Sequence, residues 1–230
     1  MTEITKRHEI KYIITNQDYQ VIAGKLNHIL KRDSYSYYDP YTITSLYYDD
    51  HNNKALQQKI NGDSYRYKYR IRYYNHDLGF FKLEKKEKIH TITNKESAFL
   101  NRDEVEKILN NDTKFLLEKD CALCEEFYYQ TRKGLLRPKV IVKYERLAYI
   151  HTVGNLRVTF DTNIKASLNN CDIFKESQTY TKPLENGNVV MEVKFNGVLP
   201  SYLKSILQVS NGTQTSMSKY VYSRQYNYNS

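Results

Sequence analysis

Tryptophan is absent and cysteine, proline and glycine are scarce: the 230 residues contain no Trp, three Cys, four Pro and eight Gly. Three cysteines cannot form a disulfide framework without a leftover thiol, so we expect a reducing, cytoplasmic location. Cys121 and Cys124 form a CxxC pair, but no second pair or nearby histidine pair supports zinc, and core packing is favoured. No linker rich in Pro, Gly or Ser divides the chain, which predicts a single domain over residues 1–230.

Long hydrophobic runs and several catalytic motifs are also missing. No apolar run approaches the roughly 20 residues that a transmembrane helix needs, and the N-terminus lacks the apolar region of a secretory signal. We therefore expect a chain that does not itself span a membrane. The absence of a GxxxxGK loop, an HExxH motif and a nucleophile elbow argues against P-loop enzymes, zinc proteases of the HExxH class and α/β-hydrolases.

Positive charge and tyrosine are abundant. The 35 Lys and Arg residues outnumber the 26 Asp and Glu residues, which gives a formal net charge of +9, and 23 residues are Tyr. Such an excess of positive charge favours an anionic partner. Nucleic acid, a phosphate-rich small molecule and an acidic membrane surface all meet this condition, and the charge alone does not choose among them.

Alternation with period two is the strongest pattern, and it is clearest in YRYKYRIRYY, residues 65–74. Arg66, Lys68, Arg70 and Arg72 share one face of this predicted strand, and Tyr and Ile occupy the other face. Similar alternation predicts strands in KRHEIKYII, YTITSLYYDD, FFKLEKKEK, KVIVKYERLAYI, NLRVTFDTNI and NVVMEVKFNG.

Helical patterns separate these strands. NQDYQVIAGKLNHILKR follows the first strand, with Asn16 as the expected N-cap, and residues 94–136 are mainly helical in pattern. Pro200 suits the first turn of another helix, and TSMSKYVYSRQY predicts a short C-terminal helix capped by Ser216 or Ser218. Strand and helix segments of this kind predict an α+β fold.

The two-faced strands allow two arrangements. A basic strand face is most often solvated. In the alternative, an inverted barrel, the charged faces line a water-filled interior, and a bound polyanion offsets the repulsion between clustered cations. Carboxylates recur among the cations, at Glu9, Glu84, Asp161 and Glu192. They indicate a divalent cation carried with phosphate and argue against a plain nucleic-acid groove.

Seven segments resemble, in order, the catalytic domain of the vacuolar transporter chaperone (VTC) family, a branch of the triphosphate tunnel metalloenzymes related to the CYTH group. They are RHEIKY, SLYYDD…ALQQKINGDSYRYKYRIRYY, FFKLEKKEK, VKYERLAY, LRVTFDT, MEVKF and SMSKY. The resemblance implies an antiparallel, eight-stranded tunnel β-barrel with a charged lumen and an exterior partly covered by helices. It also implies polyphosphate polymerase activity, in which the γ-phosphoryl group of ATP passes to a polyphosphate chain with release of ADP, aided by Mn²⁺ or Mg²⁺.

The same resemblance assigns roles to individual residues. The basic lining that would act in catalysis comprises Lys11, Arg70, Arg72, Lys86, Arg146, Arg157 and Lys219. The implied metal ligand is Glu192. Residues expected to contact the substrate beside them are Arg7, Glu9, Arg66, Lys68, Lys82, Glu84, Lys194 and Ser218.

Two positions depart from the expected pattern. Arg7 stands where phosphohydrolase and cyclase members carry the first glutamate of ExExK, which removes one metal ligand and favours the polymerase branch. Arg146 shares its parity with Val142 and Tyr144, on the side of the strand that the alternation assigns as apolar. Either a β-bulge shifts the register there or the assignment of the face is wrong.

Other functions stay open at this stage. The same fold could hydrolyse tripolyphosphate or a nucleoside triphosphate, or it could bind polyphosphate, inositol polyphosphate or RNA without turnover. The expected partners are ATP and polyphosphate, and nucleic acid is disfavoured. The domain could act alone, be inactive, or depend on a separately encoded membrane partner that exports the polymer. Tyr37, Tyr38 and Tyr74 are candidates for contact with a nucleobase.

Overall fold

The computed structural model describes residues 7–167, 170–175, 177–184, 187–208, 213–216 and 218–225. Six α-helices lie in this part of the chain: α1 (Asn16–Ile29), α2 (Lys54–Asn61), α3 (Arg102–Leu109), α4 (Ala122–Arg132), α5 (Ser201–Leu207) and α6 (Lys219–Gln225). Ten strands accompany them: β1 (Arg7–Ile14), β2 (Lys31–Arg32), β3 (Tyr41–Asp49), β4 (Tyr65–Tyr74), β5 (Phe81–Ile89), β6 (Ile92–Leu100), β7 (Arg137–His151), β8 (Leu156–Ser167), β9 (Val189–Asn196) and β10 (Thr213–Gln214).

The strands form an antiparallel sheet in the order β10-β1-β9-β8-β7-β3-β4-β5-β6, with β2 beside β7. Among the described strands, β2 and β10 have two residues each, and the other eight have at least eight residues. The predicted α+β class with eight long antiparallel strands is therefore confirmed. Closure of these strands into a tunnel stays a prediction.

The chain divides into two compact units. The first unit comprises Met1–Thr42, Tyr144–Ile164 and Leu184–Ser218, and the second comprises Ile43–Lys143, Lys165–Pro183 and Lys219–Ser230. Three strands, β3, β7 and β8, have residues in both units. The single domain expected from the sequence stays a prediction.

The first unit has a core between strands and helices. Apolar side chains of β1, β8 and β9, including Val158 and Met191, pack with Leu26 of α1 and Leu203 of α5. Each of these four side chains is almost completely buried. Burial of an aliphatic side chain of this size contributes about 1.5–3 kcal/mol, so the helices stabilise one face of the strands and leave the other for polar residues.

The second unit repeats this arrangement with other helices. Tyr69 and Ile71 of β4, which belong to the apolar row of YRYKYRIRYY, are fully buried. They lie in one core with Val105 of α3 and Phe127 of α4, and the Tyr69 and Phe127 ring centroids are 5.6 Å apart. Cys124 is buried in the same core, which agrees with the packing role favoured from the sequence. The prediction that helices cover the apolar row is confirmed.

Two local predictions were wrong. The helical pattern expected from residue 94 gives way to strand β6, because residues 92–100 pair with β5 along the whole strand. The helix α3 begins only afterwards, where Asn101 and Glu104 form a capping box. Thr15, and not Asn16, caps α1, because its side chain accepts a hydrogen bond from the backbone N–H of Asp18 at 3.1 Å.

Asp49 links the C-terminal helix α6 to the start of α2 in the second unit. Its carboxylate is 1% exposed and accepts hydrogen bonds from the backbone N–H groups of Ala55 at 2.9 Å and Leu56 at 3.1 Å. The Tyr220 hydroxyl of α6 donates to the same carboxylate at 2.6 Å. Arg224, one turn further along α6, donates to the side chain of Asn53 at 2.9 Å.

This geometry makes a prediction about stability. Replacing Tyr220 by Phe removes one donor to a buried carboxylate and should lower the free energy of unfolding by about 1.5–3 kcal/mol, measured by urea denaturation. The matched control is Tyr202→Phe, because Tyr202 is 49% exposed and its replacement should change little. Equal stability of the two variants would contradict the proposed role of Asp49.

Candidate functional site

The charged faces of β4, β5 and β6 form a strongly cationic surface in the second unit. Antiparallel register places Lys86 between Lys68 on one side and Lys95 on the other, so three lysines lie side by side on neighbouring strands. Strands in a sheet are about 4.7–4.9 Å apart, and like charges directly opposite one another are destabilising. We call this surface the cationic face; its charged residues are eight cations and one carboxylate, namely Arg66, Lys68, Arg70, Arg72, Lys82, Lys86, Lys88, Lys95 and Glu84.

Glu84 is the centre of an ion-pair network on the cationic face. It is 2% exposed, and its oxygens lie 2.7 Å from Arg70 Nε, 2.8 Å from Arg72 Nη2 and 2.6 Å from Lys95 Nζ. Burial alone would raise the pKa of Glu84, but Arg70, Arg72 and Lys95 outweigh it and hold the pKa below its ordinary value. Burial lowers the pKa of Lys95, and the nearby Arg72 and Arg70 lower it further, despite its contact with Glu84.

Tyr47 on β3 contacts two cations of the cationic face. Its hydroxyl accepts a hydrogen bond from Arg70 Nη1 at 3.1 Å, and its ring centroid lies 5.5 Å from Lys68 Nζ. Tyr47 is 3% exposed and packs against the ring of Tyr220, with centroids 5.3 Å apart. The orientation of Arg70 is therefore held by Glu84 on one side and by a buried tyrosine on the other.

The first unit carries a cluster in which charges of both signs are balanced. Register places Lys11, Glu192 and Thr159 side by side on β1, β9 and β8. Lys11 contacts Glu9, and its Nζ lies 3.9 Å from Glu192, which also contacts Lys194. Within the first unit, the described side chains of these three strands include three cations and three carboxylates: Lys11, Lys194 and Arg157 with Glu9, Glu192 and Asp161.

Arg146 forms the most buried ion pair of this cluster. Its Nε and Nη2 lie 2.6 Å and 2.8 Å from the two carboxylate oxygens of Asp161, which is fully buried. Burial alone would lower the pKa of Arg146, but Asp161 outweighs it and raises the pKa well above the ordinary value. This bidentate geometry holds the guanidinium in a fixed orientation.

The conflict over the face of Arg146 is resolved by the packing of its strand. Ile141 lies in the core of the second unit, and Leu147 and Tyr149 lie in the core of the first, so the helix-covered face carries odd numbers. Arg146 points away from it, as do Val142 and Tyr144. The assignment of the face was therefore wrong, and the interval between the core residues fits an uninterrupted strand.

Arg157 is paired with residues that the sequence analysis did not single out. Its Nη2 lies 2.6 Å from a carboxylate oxygen of Asp33 and 3.3 Å from the hydroxyl of Tyr41. Both partners come from the chain before and at the start of β3, more than 100 residues away in sequence. Lys95 was missed for a different reason, since the strand that carries it reads as helix.

The other predicted residues lie in varied surroundings. Arg66 donates to the backbone carbonyl of Asp63 at 2.6 Å, and Lys82 lies over the rings of Phe80 and Phe99. Lys219 is the first residue of α6, and the buried Ser218 precedes it. The backbone of Arg7 pairs with Asn196, but its side chain lies outside the described residues.

Comparison with known proteins identifies the family. The sequence model of the VTC domain matches residues 6–228. The chain belongs to the VTC domain family. No curated protein matches this VTC domain.

The VTC domain is similar to proteins of known structure. A protein from Bacillus halodurans described as a "putative adenylate cyclase" superimposes with a TM-score of 0.50 at 12% identity, over 90% of this chain and 87% of that chain. A protein from Pyrococcus horikoshii covers 90% of this chain and 93% of its own, with a TM-score of 0.46 and 12% identity. The first of these likenesses agrees with the triphosphate tunnel fold expected from the sequence, and it concerns the fold alone.

The family resemblance noted in the sequence implies a divalent metal in this VTC domain. Within the described residues no group of three or more His, Cys, Asp or Glu side chains is placed to hold a metal ion. Thr159 lies opposite Glu192 on the neighbouring strand. Its hydroxyl oxygen is buried and makes no hydrogen bond in the described part of the chain, so this oxygen could serve as a second ligand to the ion. Magnesium is commonly held by one or two carboxylates together with substrate phosphates. The residues fit an ion shared with a substrate.

Among the helices in the described residues, none has both the length and the hydrophobicity needed to cross a bilayer.

The Glu84 network makes a prediction about pH. Because its pKa is lowered in the folded state, ionised Glu84 stabilises the fold above the unfolded-state pKa, near 4.5, and this contribution is lost as pH falls through the folded-state pKa. Replacing Glu84 by Gln should cost about 3 kcal/mol at pH 7, since three cations lose their shared counter-charge. The difference from the wild type, measured by urea denaturation, should shrink below pH 4.5.

A matched control is Glu106→Gln on α3. Glu106 pairs with Arg102 at 2.8 Å, but both side chains are about half exposed, so its replacement should change stability little at any pH. If Glu84→Gln kept the same deficit at pH 3 and pH 7, the assignment of a lowered pKa would be wrong.

Proposed function

We propose that this VTC domain is a phosphotransferase that passes the γ-phosphoryl group of ATP to a growing polyphosphate chain and releases ADP. The observation that supports it most directly is the cationic face, where eight Lys and Arg residues surround one buried Glu. Cations crowded in this way are favoured when a polyanion neutralises them, and a chain of phosphates supplies closely spaced negative charges. Same-face residues on one strand repeat at about 6.6–6.8 Å, so successive cations can follow an extended phosphate chain.

Buried hydroxyl groups add to this support. Ser45, which pairs with Arg72, is fully buried, and its hydroxyl makes no hydrogen bond within the described residues. The same holds for the hydroxyl of Thr159 in the first unit. Buried polar groups usually form hydrogen bonds, and a buried group without a partner lowers the stability of a protein by about 1–3 kcal/mol. Phosphate oxygens would accept hydrogen bonds from both hydroxyls.

The proposed reaction needs charge neutralisation more than a nucleophilic side chain. A terminal phosphate oxygen of the polyphosphate attacks the γ-phosphorus of ATP, a new P–O–P bond forms, and the bond to the β–γ bridging oxygen breaks. That bridging oxygen leaves on ADP with the electron pair. The attacking oxygen is already ionised at neutral pH, so no side chain has to remove a proton.

Several residues have distinct tasks in this proposal. Arg70 and Arg72 bind non-bridging oxygens, and Glu84 holds their guanidinium groups in place. Lys68 and Lys86 supply further positive charge along the cationic face. The other residues that the family resemblance assigns to catalysis are tested in the same way: Lys11, Arg146, Arg157 and Lys219.

Glu192 is proposed to hold the divalent cation, Mn²⁺ or Mg²⁺, with Thr159 and phosphate oxygens as further ligands. When bound, such an ion neutralises charge on the transferred phosphoryl group and on the leaving oxygen. Lys11 and Lys194, which both contact Glu192, orient its carboxylate. Export of the product by a separately encoded membrane partner stays a prediction.

In the central test the protein is incubated with ATP and Mn²⁺. The polyphosphate formed is measured on gels, and the amount of ADP released is measured in the same samples. Arg72→Ala and Lys11→Ala should each lower polymer formation by a factor on the order of 100 or more, because a positioned charge at the reacting phosphates is lost. The controls are Arg132→Ala at the exposed end of α4 and Lys204→Ala at an exposed position of α5, which should keep wild-type activity.

Each result distinguishes one function. Orthophosphate release without chain growth would identify a hydrolase, and tight polyanion binding without nucleotide consumption would identify a binding module. Full activity of both Arg72→Ala and Lys11→Ala would contradict any role of these clusters in turnover. Circular dichroism of each variant establishes that the fold is retained.

The metal assignment has its own test. Glu192→Ala should raise the Mn²⁺ concentration needed for half-maximal activity by roughly tenfold or more, because one of few protein ligands is lost. Glu145→Ala is a suitable control, since that carboxylate, on β7 of the same unit, contacts the side chain of Asn163. An unchanged metal requirement in Glu192→Ala would assign the ion to other residues.

A further inference from the structure

Three exposed tyrosines stand close together in the first unit, next to one of its cations. Tyr35, Tyr37 and Tyr38 are 74%, 63% and 83% exposed. Single exposed aromatic residues are common on protein surfaces, but three large rings within four residues form a patch that calls for an explanation. We name residues 34–38, which carry the three rings, the tyrosine segment.

The backbone of the tyrosine segment is firmly held although its rings are exposed. Arg32 donates from Nη1 to the carbonyl oxygens of Tyr37 at 3.4 Å and Tyr38 at 2.9 Å. The Ser36 hydroxyl is buried, donates to the carbonyl of Ala148 at 3.2 Å and accepts from its N–H at 3.1 Å. Because the backbone of the segment is already fixed, a ligand that stacks on these rings would cause little further loss of backbone entropy on binding.

Asp33 ties the start of the segment to Arg157. One of its carboxylate oxygens accepts from the backbone N–H of Tyr35 at 3.1 Å, and the other lies 2.6 Å from Arg157 Nη2. The rings of Tyr35 and Tyr41 have centroids 6.2 Å apart, and the Tyr41 hydroxyl accepts from Arg157 at 3.3 Å. Tyr35 and the partly exposed guanidinium of Arg157 are thus connected through Asp33 and Tyr41.

The chemistry of this combination identifies the class of ligand. A molecule that satisfies both parts has a flat aromatic group to stack on tyrosine rings and an anionic group to contact Arg157. Every nucleobase has such a face, and stacking on aromatic side chains is tolerant of base identity. The perpendicular arrangement of Tyr37 and Tyr38, with centroids 4.8 Å apart, offers both a ring face and a ring edge to a base.

We propose that the tyrosine segment binds the nucleobase of the nucleoside triphosphate. The inference rests on the proposed function, in which ATP is the phosphoryl donor, and adds that the domain recognises the nucleoside as well as the phosphates. Arg157 then contacts the phosphate end of a ligand whose base lies on the tyrosines. Tyr74, also considered from the sequence, lies in the second unit, where its ring centroid is 5.0 Å from the Arg72 guanidinium.

The test compares a ligand that has a base with one that lacks it. Titration calorimetry measures the dissociation constants of ATP and inorganic tripolyphosphate for the wild type, Tyr35→Ala and the double variant Tyr37→Ala/Tyr38→Ala. At least one of these variants should weaken ATP binding roughly tenfold and leave tripolyphosphate binding unchanged, because only ATP has a base to stack. Tyr202→Ala, at a 49% exposed tyrosine of α5, should change neither.

A fluorescent etheno-adenine nucleotide supplies a second readout. Stacking quenches its emission, so quenching should accompany binding to the wild type and weaken in the variants that lose ATP affinity. If the wild type binds neither ATP nor tripolyphosphate, the proposed function is wrong, and the inference about the nucleobase, which rests on it, is wrong as well.

Two further results would overturn the inference alone. In the first, the wild type binds both ligands, but the ratio of their dissociation constants is the same in every tyrosine variant. In the second, a variant weakens ATP and tripolyphosphate equally, which would mean that the segment only supports Arg157. Circular dichroism and thermal denaturation of each variant separate these results from loss of the fold.

Discussion

A buried carboxylate surrounded by three cations is the interaction on which the second unit depends. Glu84 contacts Arg70, Arg72 and Lys95 at 2.6–2.8 Å, and it is the one carboxylate on a face that carries eight Lys and Arg residues. The cost of burying its charge is offset because each oxygen has a charged partner. One negative charge orients the arginines without cancelling the excess of positive charge, so the face keeps its attraction for an anion.

The two units distribute charge differently, and the difference fits different chemistry. The first unit places Glu9, Glu192 and Asp161 among an equal number of cations on its three strands. Carboxylates and a buried hydroxyl suit a hard divalent cation, whereas the cationic face of the second unit suits phosphate oxygens directly. Phosphoryl transfer requires both kinds of neutralisation, which is the physical basis for the proposed function.

Tyrosine serves both sides of this architecture, which accounts for much of its abundance. Tyr69 is buried under α4, yet its hydroxyl reaches Glu126 at 2.6 Å, and the buried Tyr149 reaches Asn27 at 2.9 Å. Tyr47 supports Arg70 on the polar side. A ring that packs in a core and ends in a hydroxyl can also form a hydrogen bond to a side chain of a helix or to a guanidinium, which Phe cannot do.

The sequence by itself determined most of the long strands and the residue types on the two faces of β4, because side chains alternate strictly along a strand. It could predict the charged row of Arg70 and Arg72 and the helix-covered row of Tyr69 and Ile71. Only the tertiary structure decided which strands are neighbours, and therefore that Lys95 joins Glu84, that Asp33 and Tyr41 hold Arg157, and that Arg146 faces Asp161. These contacts join residues far apart in the chain, and pairing between strands overrides local helical pattern in residues 92–100. Local periodicity carries no information about such partners.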